Sequence, residues 1–410
     1  MSDPHVLDPT GRDTQTWQAL AELALRGLRD TYGRDSTLLP HTMRWDGRRA
    51  APEGHNARYA LISLLGLAKA RDILEMDDDF TTSLWARVAH NDSTVSHSPG
   101  DLGLGLWARA LHGRGHPLFS AERAHKVFRE RNRSCDSVDL AWLLLGADHA
   151  LLNGVDDGHG EQLAAETKRA LLSLYNPESK LFYRHRRGGP FAGVSRRIAC
   201  FANQIYPVTA LAVHARRTGC EKSASVGRDA ANNLCRLQGS LGQWWWLYDA
   251  KRGPVVDGYP VFSVHQDGMA PMALLETTVA GGRSYAREIE KGLSWVFGEN
   301  ELRENLVQRD EGLVLRDIHR AGAGRTRRMI RGTAWCLGWR GRADAGQAEA
   351  QFVVNRECRP YHLGWILYAA ALLHQAVKQA PSDRIESAVT DLQQTSDKTE
   401  SVHEPTGQSN

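Results

Sequence analysis

Residues 238–269 form the segment with the highest density of side chains that could bind or transform a ligand. Three tryptophans stand next to each other in it, with a tyrosine close behind: Trp244, Trp245, Trp246 and Tyr248. Neighbours in a sequence face different directions, so these rings cannot all enter one core. Aromatic faces bind the apolar faces of sugars, and they bind isoprenoids equally well. The segment therefore predicts a ligand cleft, or alternatively cross-strand packing in a β-hairpin that turns at 251–253.

Polar side chains mark the starts of three segments that have the pattern of helices. They are Asn203, Gln204 and Tyr206 in the first, His265, Gln266 and Asp267 after Tyr259 in the second, and Arg359, Tyr361 and His362 in the third. If these helices begin on one rim of a ring, the side chains meet at its centre, where free N–H groups favour an anionic ligand. Each residue could instead simply cap its own helix. As a group, these side chains predict a ligand-binding site at the centre of the rim.

Two kinds of reaction are compatible with these residue types. Glycoside hydrolysis requires one protonated and one ionised carboxyl group, and the acids in this region are Asp249, Asp257 and Asp267. Elimination or epimerisation at a uronic acid requires an acid and a base, such as tyrosine and histidine, with groups that neutralise the carboxylate. Tyr206, Tyr259, His265, Asn203 and Arg359 could supply these groups.

From these alternatives we select two groups of candidate residues. The candidate catalytic residues are His265, Asp267, Tyr259, Asp249 and Tyr206. The candidate substrate-binding residues are Trp244, Trp245, Trp246, Tyr248, Asn203, Gln204, Gln266, Arg359, Tyr361 and His362.

Hydrophobic periodicity predicts two alternating kinds of helix that could position these residues. Amphipathic segments, expected on the outside, lie near 14–32, 80–91, 119–130, 160–175, 221–237 and 283–297. Segments that are apolar nearly all round, expected on the inside, lie near 58–72, 102–113, 137–153, 199–218, 263–280 and 359–378. Six pairs are the number that a closed ring of helical hairpins needs.

Internal repetition and the position of the long insertions favour such a ring. Three outer helices end alike at about sixty-residue intervals, in SLYNP, RLQGS and WVFGE. The long insertions at 176–198, 238–262 and 298–358 all follow outer helices, so they would emerge on one rim. The sequence thus predicts an all-α fold, an (α/α)6 toroid with short β-hairpin insertions on that rim. A superhelix of the same hairpins is the alternative. Residues 1–380 are expected to form this single domain, and the polar segment 381–410 a disordered tail.

Composition and missing motifs exclude several other classes of protein. A net charge of +3 gives no broad basic surface for nucleic acid. The amino terminus lacks a secretory signal and no apolar run is long enough for a membrane span, so we expect a cytoplasmic protein without membrane insertion. The six cysteines form no Cys-x-x-Cys pair. The sequence also lacks a metal-binding histidine motif such as His-Glu-x-x-His and a phosphate-binding loop. We therefore expect neither a metal nor a cofactor.

With its twelve helices, the chain over residues 14–378 resembles the six-hairpin glycosidase-like toroids, which include hydrolases, polysaccharide lyases and sugar epimerases. That resemblance implies a carbohydrate substrate, held in a central cleft beneath acid and base side chains. Gln238-x-x-x-Gly242-x-Trp244 is similar to the repeat of terpenoid cyclases and prenyltransferases, and Glu75-Met76-Asp77-Asp78 is a partial match to the proton-donor motif of the cyclases. The alternative interpretation of the Asp77–Asp79 run is a solvated loop between helices.

These observations together favour a carbohydrate-active enzyme. It would act on a glycan or oligosaccharide, with uronic acid as one candidate component, by hydrolysis, elimination or epimerisation. A terpenoid-cyclase-like enzyme acting on an isoprenoid is the first alternative. A non-catalytic glycan-binding protein is the second.

Overall fold

The architecture was analysed in a computed structural model, which describes residues 12–31, 38–76, 78–90, 98–113, 119–186, 192–322 and 351–378. The predicted tail at 381–410 lies outside these ranges, as does Asp77. Within the described ranges, no helix is both long enough and apolar enough to cross a membrane.

The helices alternate between two layers, as the periodicity predicts. The outer layer contains α1 (Arg12–Arg26), α3 (Asp78–His90), α5 (Ala121–Arg131), α7 (Gly160–Leu172), α10 (Glu221–Arg236) and α12 (Ala286–Val296). The inner layer contains α2 (Ala57–Ala70), α4 (Pro99–His112), α6 (Ser137–Leu152), α9 (Phe201–Thr218), α11 (Ala270–Val279) and α13 (Pro360–Lys378). A short helix, α8 (Ala192–Arg197), lies in an insertion, and π-helical turns at Gly27–Thr31 and His265–Met269 follow α1 and precede α11.

The inner helices form a closed ring. They pack in the order α2, α4, α6, α9, α11 and α13, and α13 packs back onto α2. Two glycines make this last contact possible, because a Cβ atom on Gly66 would lie 2.1 Å from the carbonyl oxygen of Gly364. Beside them, the Ser63 hydroxyl donates a hydrogen bond of 3.2 Å to the Pro360 carbonyl. The closure contact rules out the superhelix and confirms the toroid.

The strands are short and antiparallel. They are β1 (Thr42–Trp45), β2 (Ala50–Glu53), β3 (Tyr175–Asn176), β4 (Leu181–Phe182), β5 (Ile198–Cys200), β6 (Leu247–Asp249), β7 (Val255–Asp257), β8 (Val261–Phe262), β9 (Val307–Gln308), β10 (Leu313–Val314), β11 (Asp317–Arg320), β12 (Phe352–Asn355) and β13 (Glu357–Cys358). Each precedes an inner helix, so the strands gather on the rim where the inner helices begin. The expected β-hairpin insertions are confirmed, including the pairing of β6 with β7.

One hairpin on this rim is absent from the sequence prediction. Strands β1 and β2 lie between α1 and α2, and β1 also pairs with β13, with Met43 opposite Cys358. The start and the end of the ring are thus joined by a small sheet as well as by helix packing. This sheet positions the side chains of 41–45 beside the first turn of α13.

Candidate active site at the mouth of the ring

The amino-terminal turns of the inner helices bring aromatic and charged side chains into one contiguous group. The Arg58 guanidinium of α2 lies 5.4 Å from the centre of the Trp142 ring of α6. Trp142 contacts Tyr206 of α9, with ring centres 5.2 Å apart, and Tyr206 contacts Trp365 of α13 at 5.7 Å. Four inner helices therefore meet through these side chains. We call this region, with the residues described in the next paragraphs, the ring mouth.

The remaining side of the ring mouth is aromatic and half-buried. The ring of Tyr59 lies 4.6 Å from that of Tyr361, which connects α2 to α13. Trp246 lies 4.9 Å from Phe262, and the Arg316 guanidinium is 5.4 Å from the Phe262 ring centre. A ligand in the ring mouth would thus contact the faces of several aromatic rings, as sugars do in proteins.

Three aspartates lie together at the starts of α4 and α6. Asp101 accepts hydrogen bonds of 2.5 and 3.2 Å from the Arg58 guanidinium, which forms a paired fork. Asp136 and Asp139 form a capping box, in which Asp136 accepts from the Asp139 amide and Asp139 accepts from the Asp136 amide. A Cβ atom on Gly100 would lie 2.4 Å from Asp139 Oδ1, so the Asp139 carboxyl lies directly against the start of α4.

The Asp139 carboxyl has an altered proton affinity. Burial, with the nearby Asp136 charge as the next cause, raises its pKa from 3.8 to about 6. Desolvation and a neighbouring like charge both disfavour the ionised form of an acid. Asp139 can therefore hold a proton at mildly acidic pH.

Two cationic side chains, Arg316 and Arg359, lie on the opposite side of the ring mouth. Glu357 of β13 accepts hydrogen bonds from Arg316 at 2.8 Å and from Arg359 at 2.9 Å. Burial alone would raise the pKa of Glu357, but these two hydrogen bonds hold it below its usual value. His41 contacts Arg359, and its pKa is lowered by burial and then by the Arg359 charge. Asp317 Oδ2 also lies 3.8 Å from the Arg316 guanidinium, so two guanidinium groups and two carboxylates meet on this side.

The structure brings only some of the predicted residues to the ring mouth. Trp246, Tyr206 and Tyr361 lie there, and Arg359 lies on the side opposite the aspartates. Trp245 and Tyr259 form a neighbouring pair with ring centres 6.0 Å apart, in which the Trp245 indole donates to the Leu237 carbonyl and the Tyr259 hydroxyl donates to Glu301.

His265, Asp267 and His362 lie beneath the ring mouth instead of lining it. His265 is packed among Phe201, Trp246 and Phe262, and burial lowers its pKa to about 3, so it is neutral. Asp267 has no exposed surface, and its carboxylate lies 2.7 Å from His362 Nε2. The π-helical turn at His265–Met269 directs Asp267 into the ring interior, where it joins α11 to α13.

Several other predicted residues connect elements inside the fold. The Gln204 side chain makes hydrogen bonds of 2.7 and 2.9 Å with both backbone groups of Phe182. Its repeat partner Gln266 bonds similarly to the Trp244 amide and the Phe262 carbonyl. Asn203 accepts from the Cys200 amide and donates to the Ser137 hydroxyl. The first of these bonds caps α9, as the capping alternative predicts.

The remaining candidates are also buried. Trp244 and Tyr248 have no exposed surface, which corresponds to the packing alternative for the aromatic segment. Asp249 pairs with the Arg197 guanidinium and accepts from the amides of Lys251 and Arg252, so it holds the hairpin turn. Asp257 is buried as well and accepts from the Tyr259 amide.

The three aspartates of the ring mouth were absent from the sequence candidates, as were Arg58 and Arg316. A signal for most of them exists, because the rule that polar residues begin the inner helices applies equally to α2, α4 and α6. The aromatic and histidine residues at the starts of α9, α11 and α13 give those three helices the stronger signal in the sequence. Arg316 lies between strands β10 and β11, so the rule for the starts of inner helices does not apply to it.

The described residues contain no group of three or more His, Cys, Asp or Glu side chains arranged to hold a metal ion. The charged groups of the ring mouth also differ from the apolar, aromatic cavity that the terpenoid-cyclase alternative requires. Gln238 of the cyclase-like motif donates to the carbonyls of Gly242 and Glu288, so within the described residues it makes backbone contacts that fix a loop.

The fold defines the chain as an (α/α)6 toroid, and the resemblance to six-hairpin glycosidase-like toroids is confirmed at the level of fold. Neither a known protein-family profile nor a curated protein sequence matches the chain.

Solved structures with this fold include several glycosidases. The chain is similar to the α-1,6-mannanase GH76A of Salegentibacter sp. HEL1_6, with 11% identity, a TM-score of 0.54, and coverage of 87% of this chain and 99% of that one. A glycosyl hydrolase of family 88 from Bacteroides vulgatus matches with 10% identity, a TM-score of 0.55 and coverage of 88% and 99%. An unsaturated glucuronyl hydrolase from Bacillus sp. GL1 matches with 15% identity, a TM-score of 0.54 and coverage of 88% and 96%.

Proposed function

We propose that this protein is a glycosidase-type enzyme that cleaves a glycan or oligosaccharide in the ring mouth. The observation that carries the proposal is Asp139, a carboxyl group with a pKa raised to about 6 beside two further carboxylates. Glycosidases need one protonated and one ionised carboxyl group near the scissile bond, and unequal environments are how proteins obtain that difference. The fold is also that of known glycosidases.

In this proposal Asp139 is the proton donor to the leaving oxygen. Asp136 supplies the second carboxyl group, because its Oδ1 is occupied by the amides of Val138 and Asp139 while its Oδ2 makes no hydrogen bond to the described chain. Asp101 and Arg58 form a rigid pair beside them and offer hydrogen-bonding edges to sugar hydroxyls. Tyr59, Tyr361 and Trp246 hold the faces of the sugar rings.

We further propose that the glycan carries an acidic sugar. The side chain of Arg316 is 28% exposed and lies beside the aromatic wall, opposite the aspartates. A guanidinium at this position can bind a sugar carboxylate by two parallel hydrogen bonds. Two of the structural neighbours are glucuronyl hydrolases, which supports this assignment.

The direct test is an incubation of the wild-type protein and of Asp139→Asn with uronate-containing and neutral oligosaccharides. Mass spectrometry should show shorter products from the acidic set with wild type and none with the variant. Asp229→Asn is the matched control, because Asp229 lies on the exposed face of α10 and is 46% exposed. Binding without any product would favour the glycan-binding alternative. Thermal stabilisation by prenyl diphosphates alone would contradict the proposal.

A further inference from the structure

The opposite end of the ring contains a second convergence of polar side chains. Each inner helix contributes one side chain from its middle or later turns, and the six are Lys69, Trp107, His149, Arg216, Glu276 and Tyr368. We call them the far-rim cluster. No step of the proposed reaction uses them.

Contacts connect four of the six side chains, and the charges of Arg216 and Glu276 act on Lys69. The Lys69 ammonium lies 5.5 Å from the ring centre of Tyr368, and Tyr368 lies edge-on to Trp107 at 5.4 Å. Trp107 stacks on His149 with ring centres 5.3 Å apart. On the other side, Arg216 forms an ion pair of 3.1 Å with Glu276.

Four buried atoms of the cluster have unmet hydrogen-bonding capacity, and two of them, Trp107 Nε1 and Tyr368 Oη, belong to aromatic side chains. His149 Nε2 and Glu276 Oε1 have no hydrogen-bond partner in the described part of the chain, although the residues are only 3% and 1% exposed. Lys69 likewise forms no ion pair there, and burial lowers its pKa. An unpaired buried polar atom destabilises the fold, so a group of them indicates a missing partner.

The far-rim cluster is separate from the ring mouth. Trp365 forms the inner end of the ring mouth and is fully buried, and it contacts Trp107 of the cluster at 5.8 Å and Tyr206 of the ring mouth at 5.7 Å. A ligand at one end therefore cannot touch the polar groups at the other. Access to the far-rim cluster is along Arg216, whose side chain is 39% exposed.

The chemistry of the cluster specifies its ligand. Two cationic side chains and one carboxylate leave one positive charge to be neutralised, which calls for a monoanion. Glu276 Oε1 needs a donor, such as a hydroxyl group, and the burial of Glu276 and His149 favours a compact molecule. We propose that the far-rim cluster binds a small hydroxycarboxylate, with its carboxylate on Lys69 and its hydroxyl group donating to Glu276.

Isothermal titration calorimetry of the full chain with glycerate tests this proposal. Propionate lacks the hydroxyl groups and glycerol lacks the charge, so each should bind at least about tenfold more weakly, or about 1.4 kcal/mol. Lys69→Met keeps the length of the side chain and should weaken glycerate binding by a similar factor. Asp139→Asn should leave it unchanged, which separates this site from the ring mouth.

Two results would overturn the proposal. One is the absence of glycerate binding at about 10 mM, a concentration that detects even weak sites. The other is binding that Lys69→Met does not affect. If that variant fails to fold, a crystal structure of the wild-type protein soaked in glycerate decides, since water alone in the cluster would refute the assignment.

Discussion

Asp139→Asn should make the protein more stable while it removes activity. The amide oxygen of the new side chain can still accept from the Asp136 amide, now 3.2 Å from Asp139 Oδ2, so the helix cap is retained. The substitution removes the negative charge that burial and Asp136 disfavour. Active-site groups commonly carry such a conflict between stability and function.

The size and sign of the effect follow from the pKa. The folded pKa of Asp139 is about 6 and the ordinary value is 3.8, so the folded state binds the proton more tightly than the unfolded state. Wild-type stability is therefore lost as the pH rises through this interval, by at most about 3 kcal/mol at 1.36 kcal/mol per pH unit. The variant has no such loss. It should match wild type near pH 3 and exceed it at pH 8.

Urea unfolding at both pH values measures this difference, and a glycan-cleavage assay measures the activity. We expect activity to fall by about 10²–10⁴, which is typical for the loss of a general acid. Asp101→Asn is the control, because it breaks the ion pair with Arg58 and should destabilise the protein at pH 8. Equal or lower stability of Asp139→Asn at pH 8 would refute the reasoning, and so would retained activity.

Three further expectations concern the pH profile of activity, the closure of the ring and a buried ion pair. For wild type, kcat/KM should decrease as the pH rises above about 6, because Asp139 then loses its proton; a profile flat from pH 5 to 8 would exclude it as the acid. Gly66→Ala should lower the free energy of unfolding by about 1–3 kcal/mol through overpacking against Gly364, whereas Gly227→Ala, whose Cβ would meet no atom closer than 3.7 Å, should not. Asp148 is buried between His214 and Arg217, so Asp148→Asn should cost about 3 kcal/mol in urea unfolding and leave the pH profile of activity unchanged.

The fold was largely predictable because its two kinds of helix differ in composition. Inner helices such as α6 are covered on all sides and are apolar all round, whereas outer helices such as α12 have one polar face. The long insertions follow outer helices, and this order in the sequence predicts that the strands lie on one rim. The hairpin of β1 and β2 could not be predicted, since its strands are four residues each and its partner β13 lies about 300 residues away.

The site was predictable in position more than in residue identity. Polar residues do converge where the inner helices begin, but Asn203 caps α9 and Gln204 clamps a strand. The π-helical turn at His265–Met269 changes the direction of Asp267, and no local pattern reveals such a turn. Asp139 looks like an ordinary capping residue in the sequence. Its unusual proton affinity comes from burial in the folded chain and from the charge of Asp136.

A crystal structure of Asp139→Asn bound to a cleavable oligosaccharide would show which side chains surround the scissile bond. We predict that the scissile glycosidic oxygen lies within hydrogen-bonding distance of the side chain at position 139, with a sugar ring against Tyr59 or Tyr361. A sugar carboxylate, where present, should contact Arg316. An ordered oligosaccharide bound elsewhere, with the ring mouth holding none of it, would contradict the assignment.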